Sequence, residues 1–115
     1  MLGALLVLAG LAMSPVPPPP IMKTGPLVLK LFSANDYPAE AVLNRWEGSV
    51  VADLTISATG EVTKCHIVQS SRHPLLDKTT CRILTTRAVF RPATDKDGHP
   101  VESVLRTPPI VWAIY

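Results

Sequence analysis

The sequence predicts a small α+β domain of order αββαβ, with its helices packed on a three-stranded antiparallel sheet. Three observations carry that prediction. Ser49–Ser57 alternates cleanly: Val50, Ala52, Leu54 and Ile56 point one way, and Val51, Asp53 and Thr55 the other. A period of two is the mark of a half-buried strand. Gly60, ending the turn Ala58-Thr59-Gly60, can take a positive φ and return the chain into a second strand, Glu61–Gln69. Leu76, Thr80, Cys81 and Leu84 then recur at helical spacing.

The elements follow in chain order. Tyr37-Pro38 begins the first helix, with Asp36 as its expected cap and Pro38 and Glu40 in its first turn. Ala39, Val42, Leu43 and Trp46 form its expected apolar face, and Gly48 is expected to stop it. In the second strand Cys65 and Ile67 share one face. Ser70-Ser71-Arg72-His73-Pro74 is a loop leading into the second helix, with Pro74 at the first helical position and Asp77 in the first turn. After Phe90-Arg91-Pro92, the segment Thr94–Gly98 is polar and turn-like. Val101–Tyr115 is the last strand region, broken by Pro108-Pro109.

Length and charge narrow the function. A chain of 115 residues holds one small domain. A net charge of +2, with the basic residues spread among apolar and acidic ones, argues against a nucleic-acid partner. Residues 1–13 are an unbroken run of apolar residues and glycine. As a helix they would reach about 20 Å, short of the ~30 Å hydrocarbon core. They read as a signal peptide or a short membrane anchor, although no Lys or Arg precedes the run. Residues 14–36 read as a proline-rich linker and 37–115 as the folded domain.

No nucleophile is paired with a nearby base, and no glycine-rich phosphate loop appears, so the chain does not read as an enzyme. Ser70, Ser71 and His73 fit a turn and helix cap. His66, His73 and His99 have no paired metal-ligand spacing, and no cofactor is expected.

Several short signatures stand in fixed order: Tyr37-Pro38-Ala39-Glu40-Ala41, Glu47-Gly48, Gly60-Glu61-Val62, Ser70-Ser71, His73-Pro74, Leu76-Asp77 and Phe90-Arg91-Pro92-Ala93. Each is unspecific alone. As an ordered set they resemble the TonB C-terminal domain family. The resemblance implies a periplasmic domain that binds an extended peptide of an outer-membrane TonB-dependent receptor by strand addition. It also implies support of energy-coupled transmembrane transport, with the ExbB–ExbD motor of the inner membrane as a further partner. The accepting edge would be the last strand.

Two departures from the family pattern qualify this. Two consecutive prolines remove one N–H donor from each side of a strand, so Pro108-Pro109 must split or bulge it. Val101–Thr107 and Ile110–Tyr115 are left as separate pairing pieces. Glu102, Ser103, Val104, Leu105 and Arg106 are the expected peptide-binding residues, ahead of Val111–Ile114. In addition, Ser14–Asp36 spans at most ~70 Å as polyproline II. An uncoupled secreted binder, or a dimer made through the exposed edge, is therefore the alternative to a force-transmitting domain.

The two cysteines face each other in this reading, one on the inner face of the second strand and one on that of the second helix. An exported domain meets an oxidising compartment, so a Cys65–Cys81 disulfide is expected. Two small buried thiols are the alternative.

Overall fold

The computed structural model describes residues 21–22 and 31–114. The apolar run 1–13 and most of the linker 14–36 lie outside the described residues.

Strand β1 (Ile21–Met22) is followed by a 3-10 turn over Ala34–Asp36 and by helix α1 (Ala39–Leu43). Then come β2 (Gly48–Ile56), β3 (Val62–Gln69), helix α2 (Pro74–Arg87), β4 (Phe90–Arg91), β5 (Ala93–Thr94), β6 (Pro100–Val101), β7 (Ser103–Arg106) and β8 (Ile110–Trp112). The antiparallel sheet has β2 at its centre and β3 on one side, with β7 and β8 in tandem on the other. The expected α+β order is observed. Two short ladders, β1 with β4 and β5 with β6, are added to it.

Alternation in β2 places the core. Val50, Ala52, Leu54 and Ile56 are all fully buried beneath α2, while Val51, Asp53 and Thr55 lie on the opposite face. From α2, Leu76, Thr79, Thr80, Ile83 and Leu84 are buried against them. Phe90 closes one end of the core and Trp112 the other. The Cys65–Cys81 disulfide is formed, with a Cα–Cα distance of 5.7 Å, and ties β3 to α2. The bonded cysteines are 16 residues apart in sequence, and closing a loop of that length is worth ~3 kcal/mol in the chain-entropy model.

Gly60 has φ +92°, and a Cβ there would lie 2.1 Å from the carbonyl oxygen of Phe90. Phe90 in turn donates its N–H to the Gly60 carbonyl at 2.9 Å. The turn glycine and the Phe90-Arg91-Pro92 segment are thus one contact seen from two places in the sequence.

The start of the domain differs from expectation. Helix α1 spans one turn and a half, and its expected apolar face is not formed. Only Ala41 is buried; Val42 is 42% exposed and Leu43 83%. The cause is an early C-terminus. Trp46 donates its N–H to the Ala41 carbonyl at 2.8 Å, and Arg45 to that of Val42 at 3.2 Å. This is a Schellman closure, with Arg45 at φ 53° in the position glycine usually fills. Gly48 therefore does not stop the helix. It opens β2, where a Cβ would meet the Ser71 carbonyl oxygen at 2.6 Å.

Asp36 does not cap α1; Pro38 occupies that position without a side-chain bond. Instead Asp36 closes the 3-10 turn, accepting from the Ser33 N–H at 2.8 Å. Arg87, in the last turn of α2, donates twice to its carboxylate, at 2.7 and 2.8 Å, and once to the Leu31 carbonyl at 3.0 Å. The packed structure thus includes residues ahead of Tyr37.

Candidate functional site

The order β3-β2-β7 leaves the outer side of β7 without a partner strand among the described residues. Its register on β2 is Asp53 with Arg106, Leu54 with Leu105, Thr55 with Val104 and Ile56 with Ser103. Thr107 extends the ladder, giving its N–H to the Ala52 carbonyl at 2.8 Å. Backbone groups alternate sides along an antiparallel strand. Residues 103, 105 and 107 therefore turn theirs toward β2, and Val104 and Arg106 turn theirs outward.

The prolines split the strand, as their missing donors require. Thr107 repairs the break on the inner side. Its hydroxyl oxygen accepts the Ala52 N–H at 3.1 Å, which a regular ladder would have sent to a carbonyl. Thr107 is only 4% exposed. Beyond Pro108-Pro109 the chain resumes as β8, pairing Ile110, Val111 and Trp112 with Val50, Ser49 and Gly48.

The five expected binding residues are contiguous on this edge but differ in what they present. Val104 is 64% exposed and Glu102 is exposed, whereas Ser103 and Leu105 are half-buried. Arg106 donates to both carboxylate oxygens of Asp53, at 2.8 and 3.0 Å. The hydrogen bond from that guanidinium holds the Asp53 carboxyl below the usual range and raises Arg106. Its side chain clamps β7 to β2, leaving the backbone to face outward.

Beside β8 lies a groove of about 610 Å³. Pro109 to Ile114 form one wall; Phe32, Ser33, Ala34, Tyr37 and Val42 line the rest. Trp112 anchors it from below. Its indole N–H donates to the Thr80 hydroxyl at 2.9 Å, and Thr80 donates to the Leu76 carbonyl at 2.7 Å. Phe32 and Tyr37 pack edgewise on the indole at 5.8 and 5.2 Å. The Tyr37 hydroxyl donates to the Trp46 carbonyl. Burial, then the nearby Glu47 charge, raises the Tyr37 pKa. Glu47 itself accepts the Ile114 N–H at 2.6 Å.

The sequence reading missed this groove, because residues before Tyr37 were assigned to a linker. A signal was present: Ser33 followed three residues later by Asp36 is a turn-closing pair, next to an aromatic Phe32.

Ser70, Ser71 and His73 serve the start of α2. Burial pushes the Asp77 carboxyl up, but hydrogen bonds from the Ser70 hydroxyl and from the Ser71 hydroxyl and N–H outweigh it and lower the pKa. Asp95, Asp97 and His99 bring ligand atoms within 4.8 Å of one another. Asp95 Oδ1 accepts from the N–H groups of Asp97 and His99, both at 2.9 Å. Turn formation accounts for that cluster.

The domain is thus α+β, with an open backbone edge on β7 and an apolar groove beside β8. The family model described as the Gram-negative bacterial TonB protein C-terminal matches residues 33–114, and the chain belongs to that family. Searches of curated proteins and of solved structures gave no match. The family consists of transport-related, non-enzymatic domains that meet outer-membrane receptors, and it implies a periplasmic location. Among the described residues, no helix is long and apolar enough to cross a membrane.

Proposed function

We propose that this domain binds an extended peptide of an outer-membrane TonB-dependent receptor by strand addition to β7, in support of energy-coupled transport. The observation that carries the reading is the outer edge of β7. Backbone groups of Val104 and Arg106 face outward, and no strand covers them among the described residues. An added strand satisfies such groups whatever its side chains, so affinity comes from the main chain and selectivity from adjacent pockets. The groove beside β8 is such a pocket and suits an apolar side chain of the incoming peptide. With Arg106 engaged by Asp53, charge on the edge itself rests on Glu102.

Titration with N-terminal peptides of TonB-dependent receptors tests this. Amide resonances of Glu102–Arg106 are expected to shift more than those of β3, the opposite edge of the sheet. A proline at the centre of the peptide removes a donor and should weaken binding. Shifts confined to β3, or none at millimolar peptide, would overturn the proposal.

A further inference from the structure

Strands β7 and β8 lie end to end on the same side of β2. From Thr107 to Ile110 the chain takes three steps while β2 takes two, from Ala52 to Val50. The prolines fall in that bulge, and the bulge keeps the two strands in phase. Thr107 gives its N–H to the Ala52 carbonyl, so Ala52 turns its backbone groups to this side of β2. By alternation Val50 and Gly48 do the same. Their partners Ile110 and Trp112 therefore face β2. Val111, opposite Ser49, turns its N–H and C=O outward, as Val104 and Arg106 do. Exposure follows the same alternation: Val104 and Val111 are 64% and 66% exposed, Ile110 and Trp112 only 3% and 5%.

The two strands thus present one edge. Its outward groups stand opposite Thr55, Asp53 and Ser49 of β2, and the position opposite Val51 falls at the prolines. From the level of Thr55 to that of Ser49 the edge runs about 20 Å at the rise of a strand.

Val111 differs from Val104 and Arg106 in what borders it. Every residue from Pro109 to Ile114 lines the groove, so the groove follows the strand along its length, and Phe32 and Ala34 help to complete it. Among the described residues, β2 is the sole strand partner of β8. The backbone decides the occupant. A lipid tail or the apolar face of a helix seated there would cover the N–H and C=O of Val111 and leave them unpaired, which is costly. An extended chain pairs them.

We propose that the receptor peptide is a single strand running past both β7 and β8, paired at Val104 and Arg106 and again at Val111, with its second half lying in the groove. It rests on the strand-addition reading and adds a length and a sequence requirement to it. About seven extended residues are needed to reach from the level of Thr55 to that of Ser49. The half along β7 meets an exposed edge and tolerates many side chains, whereas the half along β8 must be apolar.

Amide shifts of the full chain test it, with N-terminal receptor peptides of about ten residues and with halves of about five. The longer peptides are expected to shift Val104, Arg106 and Val111 together, with one dissociation constant. Val111→Pro removes an outward N–H and no bond to β2. It should weaken the longer peptides about threefold to tenfold, the worth of one hydrogen bond. A short peptide that shifts only Val104 and Arg106 should bind parent and variant equally, which shows that the variant is folded. Aspartate in one half of the longer peptide should weaken binding about tenfold or more, and in the other half change it little. Shifts at Val104 and Arg106 with Val111 unmoved, or full affinity in Val111→Pro, would overturn this inference and leave strand addition to β7 standing. Shifts at Val111 on concentrating the protein without peptide would overturn it in favour of a second copy. Loss of shifts at both strands would overturn it together with the β7 reading.

Discussion

Single residues in this domain do work that their types alone do not announce. Arg45 terminates α1 in a left-handed conformation that glycine adopts at no steric cost. Replacing it should relieve ~1–2 kcal/mol of backbone strain. The added flexibility of the unfolded chain would return ~0.4–1 kcal/mol of that. Arg45→Gly is thus expected to stabilise the domain by about 0.5–1 kcal/mol, read as a higher denaturant midpoint at unchanged slope. A lower midpoint would mean that the Arg45 side chain makes a stabilising contact outweighing the strain. Gly48 is the opposite case. Its φ is ordinary, yet the Ser71 carbonyl leaves no room for a side chain, so the Glu47-Gly48 signature records a close approach.

At the scale of elements, the strands were legible and the first helix was not. The alternation in β2 is a direct imprint of burial on one face, and all four residues it assigned to the core are fully buried. Cys65 and Cys81 were placed on facing surfaces by the same periodicities and are bonded. Periodicity failed for α1, because a closure after five helical residues leaves too little helix for a face to mean anything. The split of the last strand could be read from Pro108-Pro109, since a missing donor is a property of the residue. Its repair could not, because Thr107 acts through Ala52, far away in sequence. Thr107→Val keeps shape and backbone but leaves the Ala52 N–H without an acceptor. An unpaired group of this kind costs ~1–3 kcal/mol, and the variant should lose that much stability in denaturant titration. Faster amide exchange is expected at Ala52 than at Leu54, which pairs within β7.

Across the whole molecule, the segment from Leu31 to Tyr37 is fastened to the far end of α2, and Arg87 is the fastening. The hydrogen bonds from Arg87, reinforced by the Ser33 N–H, hold the Asp36 carboxyl well below the ordinary value of 3.8. A carboxylate lowered in the folded state binds fewer protons there than in the unfolded chain. Stability therefore rises with pH between the two values. The contribution is full above the unfolded value and fades as the pH falls below about 4 toward the folded one. Asp36→Asn removes the charge at every pH. The variant should be less stable than the parent at pH 7, by an amount that shrinks in high salt because Arg87 is partly exposed. The two should converge as the pH drops from 4 to 2. Asp53 and Asp77 are also lowered and slope both curves alike, so the difference between the curves isolates Asp36. A gap that stays constant from pH 7 to pH 2 would mean that Asp36 acts through its shape in the 3-10 turn and not through its charge on Arg87. A gap that closes would identify a charge-dependent strap beside the β8 groove, since Phe32, Ser33, Ala34 and Tyr37 line that groove from the segment Arg87 holds.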